Sequence, residues 1–149
     1  MEAHPAQRLF RQSGERKHAG DATRGQARVL QSILHSIADG VVVADERGRF
    51  VVWNPAAERI LGMGPMDVPL EEWSRRYGLF SADAITHYPA RDLPLARAMR
   101  GLTVDEAAIF VRNANAPRGL WLSVNARPLK DGAGHLLGGV AVFRDVSAH

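Results

Sequence analysis

Val104-Asp-Glu-Ala-Ala-Ile-Phe-Val-Arg112, Gly119-Leu-Trp-Leu-Ser-Val-Asn-Ala-Arg-Pro-Leu129 and Leu136-Leu-Gly-Gly-Val-Ala-Val-Phe-Arg-Asp145 are the three runs whose reading decides the fold. Each is rich in β-branched, aromatic and other apolar residues. Turn residues separate them, first Asn113-Ala-Asn-Ala-Pro117 and then Lys130-Asp-Gly-Ala-Gly134. Such runs bounded by Gly, Pro, Asn and Asp predict antiparallel hairpins. Side chains alternate along a strand, so Leu120, Leu122 and Val124 share one face of the second run while Trp121, Ser123 and Asn125 share the other. A three-stranded meander has an apolar face that other elements must cover. The preceding chain has to supply that cover.

Working back from the meander, Asp92 is placed to cap a short helix over 93–100, with Pro94 tolerated in its first turn and Gly101 stopping it. Residues 62–91 contain Gly, Pro and aromatics and carry at most short helical turns, Leu70–Tyr77 being one candidate. Ala56–Leu61 reads as a helix capped by Asn54, opened by Pro55 and stopped by Gly62. Val41–Ala44 and Phe50–Trp53 read as two short strands around Asp45-Glu-Arg-Gly48, a good hairpin turn. Strands at both ends with helices between them predict an α+β domain over 40–147: a five-stranded antiparallel sheet with short helices crossing one face.

Before that domain, Val29, Leu30, Ile33, Leu34 and Ile37 recur at three- and four-residue spacing. The pattern predicts an amphipathic N-terminal helix over 22–39. Its stripe has two possible seats: the domain's own sheet, or the same helix of a second chain as a homodimer interface. Residues 1–21 are polar and read as a disordered basic leader. Residues 1–28 hold six basic and three acidic side chains, and the rest of the chain is balanced at thirteen of each. The basic excess therefore belongs to the leader. Without interleaved aromatics or a DNA-binding pattern, it reads as solvated rather than as a nucleic-acid contact.

The chain has 149 residues, enough for one domain with a real core. It has no cysteine, which removes disulfides, thiolate metal sites and cysteine nucleophiles together. No apolar run is long enough to span a bilayer, and no secretory signal opens the chain. A cytoplasmic location fits these features. No Ser/His/Asp arrangement, phosphate-cradling loop or paired carboxylate stands out, so the chain reads as non-catalytic.

The order of elements, with three local motifs, resembles the PAS domain. Ile37-Ala-Asp-Gly-Val-Val-Val-Ala-Asp45 looks like the family's opening strand, and Gly48-Arg-Phe-Val-Val-Trp-Asn-Pro-Ala-Ala-Glu58 like its second strand and first helix. Gly138-Gly-Val-Ala-Val-Phe-Arg-Asp-Val-Ser147 looks like its closing strand. The resemblance runs over about residues 26–147. Residues 88–101, with Arg127-Pro-Leu129, look like the PAS modules upstream of bacterial sensor histidine kinases. The resemblance implies a sensory or dimerisation module of a signal-transduction protein, of the two-component type. It would relay a signal through flanking helices to a kinase or other output domain outside this chain. Asp145 and Ser147 would then sit at the relay to the output.

The resemblance also frames the ligands. Flavin-binding and cinnamoyl-type members use a cysteine, which this chain lacks, and Phe143 stands where flavin binders carry a polar amide. Haem-binding members use a histidine on a central helix. The helix over 93–100 has none, and His87, in the loop before it, is a weak haem-ligand candidate. No cofactor is expected, with haem or another small ligand as the alternative, and no histidine sits at a metal-ligand spacing with an acidic neighbour. Ile60, Leu61, Ile109, Val111, Leu122, Val124, Ala141 and Phe143 are expected between sheet and helices, lining either a closed core or a ligand pocket. Trp53 and Trp121 belong either with them or on the outer face.

Overall fold

Alternating apolar residues pair the strands of this chain into one antiparallel sheet. The structure, a computed structural model, describes residues 37–147. In chain order the elements are β1 (Gly40–Asp45), β2 (Phe50–Trp53), α1 (Pro55–Leu61), α2 (Trp73–Tyr77), β3 (Leu79–Phe80), α3 (Pro94–Met99), β4 (Val104–Asn113), β5 (Ala116–Lys130) and β6 (Leu136–Asp145). Single 3-10 turns precede α2 at Leu70–Glu72 and α3 at Ala90–Asp92. The leader over 1–21 and most of the amphipathic stretch over 22–39 lie outside the described residues.

The sheet has six strands, not the five expected, in the order β2-β1-β6-β5-β4-β3. The additional strand is β3. Leu79 and Phe80 pair with Val111 and Phe110 at the edge of β4. Two residues carry no alternation of their own, so only the neighbouring strand defines them. The closing meander is as expected, with Val124 at its centre opposite Ala107 on β4 and Phe143 on β6. Its first turn is tighter than the sequence implied, because Asn113 pairs directly with Ala116.

Three local features fix how the helices sit on the sheet. Asn54 caps α1: its Oδ1 accepts from the backbone N–H of Ala57 (2.9 Å) and of Val41 (2.9 Å), and its Nδ2 donates to Asp39 O (3.0 Å). One buried side chain thus ties α1 to the start of β1. Asn113, at the end of β4, donates from Nδ2 to Leu61 O (3.0 Å) and Tyr77 O (2.9 Å), the last residues of α1 and α2. Those are carbonyls that a helix end leaves without an internal partner. Gly78 then turns with φ 69°, and a Cβ there would run into Arg112 O, so α2 and β4 touch backbone to backbone.

The expected cap of α3 differs. Asp92 ends the 3-10 turn, and Leu93 occupies the capping position with no side-chain hydrogen bond. Pro94 lacks an N–H to satisfy there, so the start of α3 tolerates an apolar residue. At the start of β4 a bulge falls between Val104 and Ala107, with Glu106 at φ 50°. Asn125 Oδ1 holds it by accepting from Glu106 N (2.9 Å).

The main core lies between the sheet and the helical strap. Val42, Ala44, Ile109, Val111, Leu122, Val124, Ala126, Ala141 and Phe143 meet Ala57, Leu61, Trp73, Leu93, Leu95, Ala96 and Ala98 there. A second cluster of Val41, Val43, Val51 and Val52 forms around β1 and β2. Val41 and Val43 alternate with Val42 and Ala44, so it occupies the opposite face of β1. Ile37, Leu129, Val140 and Val142 pack against it.

Candidate functional site

Close packing fills much of the space under the strap, and a cavity of about 80 Å³ lies within it. Five of its walls come from the sheet's inner face: Ile109, Leu122, Val124, Ala141 and Phe143, with Val42 beside them on β1. These residues belong together because each inward position of one strand faces an inward position of the next. Val42 pairs with Ala141, and Val124 with Phe143. Leu79 of β3 adds a wall at the sheet's edge, and Leu61 of α1 with Leu93, Pro94 and Leu95 at the start of α3 closes the opposite side.

The remaining walls are aromatic. Phe50 stacks on Trp73 with centroids 4.9 Å apart and meets Trp53 edge-on at 4.9 Å. Trp53 and Tyr77 lie 5.3 Å apart. These four rings form one continuous cluster, and all four line the cavity. Aromatic pairs at these separations hold one another in place as well as burying area.

Polar atoms in this wall are few. Trp53 Nε1 donates to Met63 O (3.1 Å). The Tyr77 hydroxyl donates to Gly64 O (3.0 Å) and accepts from Met66 N (2.7 Å). Burial pushes the Tyr77 phenol up to about 12, against the smaller opposing effect of the Met66 N–H. Trp73 is buried at 3% exposure, and its Nε1 has no hydrogen-bond partner. The site therefore offers no ionised side chain. Its chemistry is that of an apolar binding volume, not of an acid–base or metal centre. Among the described residues no group of three His, Asp or Glu side chains is placed to hold a metal ion.

Six of the eight residues expected between sheet and helices line the cavity: Leu61, Ile109, Leu122, Val124, Ala141 and Phe143. Two do not. Val111 is fully enclosed in solid core, opposite Leu79 and Leu120. Ile60 lies half-buried against the core. Trp53 belongs to the cavity, while Trp121 lies on the other face of β5 against Phe110, at 4.9 Å. His87 is not a lining residue; it is exposed and stacks on Phe80 at 4.6 Å. Val29, Leu30, Ile33 and Leu34 fall outside the described residues, and Ile37 packs on the valine cluster around β1. Trp73 and Tyr77 were missed by sequence reasoning. Their signal was two aromatics spaced i, i+4 on a short helical segment.

The exit of the chain adjoins the cavity. Phe143 is a wall, and two residues later Asp145 Oδ1 accepts from Ser147 N (2.9 Å). Ser147 Oγ accepts from Trp121 N (2.7 Å), and Val146 N donates to Trp121 O (2.8 Å). Asp145 thus pairs with the turn that follows its own strand.

A family model described as PAS fold matches residues 34–149. This chain belongs to the PAS-fold family. The PAS domain is 26% identical over 126 residues to the sensor protein kinase WalK of Staphylococcus aureus, covering 84% of this chain and 26% of that protein. It spans about a quarter or less of the curated relatives it matches. Among solved structures it resembles a domain of a sensory box sensor histidine kinase/response regulator from Geobacter sulfurreducens. There the TM-score is 0.53 at 20% identity, covering 80% of this chain and 94% of that one. It also resembles the PAS domain of an HTR-like protein from Haloarcula marismortui, with TM-score 0.55 at 16% identity, covering 83% and 93%. No helix among the described residues is long and apolar enough to cross a membrane.

Proposed function

We propose that this PAS domain is the sensory and dimerisation module of a signalling protein of the sensor histidine kinase type. It is non-catalytic by itself and acts in the cytoplasm. It pairs with a second copy through the helix expected over 22–39 and relays a change of packing to an output domain beyond Ser147. One observation carries the reading: the strand that walls the cavity is the strand that leaves the domain. Phe143 touches the cavity, while Asp145 and Ser147 fasten the exit to Trp121, next to the cavity wall Leu122. A small shift of the wall has a short mechanical path to the exit. Packed interiors switch between discrete arrangements rather than deform continuously, so such a shift biases two positions of the flanking helix. At the other end, Ile37 packs on the valines of β1, which couples the incoming chain to the same sheet.

A second reading, a sensor that holds a small molecule, is favoured by the cavity itself. Its volume of about 80 Å³ suits a small ligand. Cofactor-sized ligands occupy pockets of roughly 300–1,000 Å³, and His87 lies off the cavity, so haem is the less supported ligand.

The test is to graft the domain in place of the PAS domain of a sensor kinase and fill the cavity with Ala141→Val. The relay reading expects kinase autophosphorylation to change at least threefold while the melting temperature stays close to wild type. Unchanged autophosphorylation would rule the relay out. Native mass spectrometry of residues 1–149 against a version starting at Ile37 tests the pairing: a dimer that becomes a monomer on truncation supports it, and a monomer in both overturns it.

A further inference from the structure

Three of the rings that wall the cavity carry a polar atom, and the fold keeps all three atoms out of it. Trp53 Nε1 donates to Met63 O, while the Tyr77 hydroxyl donates to Gly64 O and accepts from Met66 N. Both tips are thus spent on the segment between α1 and α2. Trp73 Nε1 is enclosed in the packing and does not open on to the cavity. The backbone groups of the sheet behind it are paired along the strands, Val42 with Ala141 and Val124 with Phe143. What the cavity meets is carbon: the rings on one side, and aliphatic side chains such as Ile109, Leu122 and Val124 on the other. Water gains little in such a place, since a buried water needs two to four polar partners and these walls present none.

We propose that the cavity binds a small hydrocarbon, a compact molecule with no hydrogen-bonding group of its own, and rejects its oxygen-bearing analogues. This rests on the reading of the cavity as a sensing volume and adds the chemical class of its ligand. Each property of the site selects one property of the molecule. The walls carry no ionised group, so a charged ligand would lose its hydration without gaining a counter-charge. They present no donor or acceptor either, so a ketone or alcohol would leave its hydrogen bonds to water behind and find none to replace them. A hydrocarbon has no such bonds to lose. It gains the release of its own apolar surface from water and dispersion contacts with walls that otherwise face a void. The volume sets the size. An apolar cavity of roughly 150 Å³ accommodates benzene. About 80 Å³ therefore takes a molecule of roughly three to five non-hydrogen atoms. Turning the tips of Trp53 and Tyr77 toward the 62–69 segment is what makes the site selective, since either tip facing inward would give an oxygen a partner.

The probes are 2-methylpropene and acetone, which share a skeleton and differ in a methylene against an oxygen. Each is titrated into the isotope-labelled full chain and into Ala141→Val, following the methyl resonances. The expected result has three parts. The alkene moves the methyls of Val42, Ile109, Leu122 and Val124. Acetone binds at least about tenfold more weakly at the same methyls. Ala141→Val, which fills part of the cavity, weakens the alkene at least about fivefold. If acetone binds within about threefold of the alkene, the hydrocarbon assignment is overturned and the pocket stands. If the alkene binds Ala141→Val as well as wild type, it sits elsewhere and the assignment to this cavity is overturned. If neither probe moves the methyls, the pocket reading falls with it. Should Ala141→Val not fold, the wild-type chain decides: shifts confined to the wall methyls support the assignment, and shifts spread over the sheet's outer face overturn it.

Discussion

Trp53 and Tyr77 face each other across 5.3 Å, and both hold the backbone of the same segment, the eight residues between α1 and the turn before α2. Trp53 fastens it at Met63, and Tyr77 fastens it at Gly64 and Met66. Two cavity walls therefore double as the anchors of a surface segment. Tyr77→Phe keeps the ring and removes one donor and one acceptor. The expected loss is about 1–2 kcal/mol of unfolding free energy, read by urea denaturation. Faster hydrogen exchange at Met66 N–H is expected alongside it. Exchange at Met66 equal to wild type would show that the hydroxyl does not hold the segment.

The same tyrosine predicts alkaline sensitivity. Its phenol titrates near 10 in the unfolded chain and is pushed up to about 12 in the fold by burial. The unfolded chain thus releases this proton first as pH rises. The stability linked to Tyr77 is fully present below pH 10 and is lost between about 10 and 12. The difference in urea midpoint between wild type and Tyr77→Phe should narrow as pH rises from 9 to 11.5. A constant difference would contradict the assignment.

Asn54 holds three backbone groups at once. Its amide satisfies Val41 N, Ala57 N and Asp39 O while itself nearly fully buried. Asn54→Ala strips the cap of α1 and orphans backbone groups at the start of β1. A loss of about 3 kcal/mol is expected by chemical denaturation. Asn54→Asp retains the acceptor and loses the donor to Asp39 O, so it should fall between the two. A loss below that of Tyr77→Phe would show that water replaces the amide.

Legibility in the sequence followed periodicity. Alternation placed Leu122, Val124, Ala141 and Phe143 on the inner face, and Asn54-Pro55 with Gly62 bounded α1. Alternation says which face a residue takes and not whether that face is filled. Val111 and Ile109 are equivalent in pattern, yet Val111 meets solid core and Ile109 meets the cavity. Residues 62–91 have no period, so the strand Leu79–Phe80 and the roles of Trp73 and Tyr77 depended on tertiary contacts. Trp73 stands out only once its ring is seen stacked on Phe50 with a free N–H. The family was legible because its motifs lie on the periodic strands and on the cap of α1.

Asp145 offers the cleanest separation of signalling from stability. It is exposed, and its bond to Ser147 N fixes the turn after β6, while Ser147 Oγ and Val146 N fix that turn to Trp121. Removing the carboxylate leaves the Val146–Trp121 bond and the whole core in place. Asp145→Ala should therefore lower the melting temperature by no more than ~3 °C. In the kinase graft it should change autophosphorylation and blunt the response to cavity filling at Ala141, because the turn that orients the outgoing chain is no longer held. Ser147→Ala, which removes the acceptor for Trp121 N, should act in the same direction. A drop in melting temperature as large as that of Asn54→Ala would mean that the turn supports the fold. An unchanged response to Ala141→Val would mean that the signal leaves by another route. Since Leu122 and Phe143 flank the fastened turn from both strands, that other route would have to run through the helical strap and the segment held by Trp53 and Tyr77.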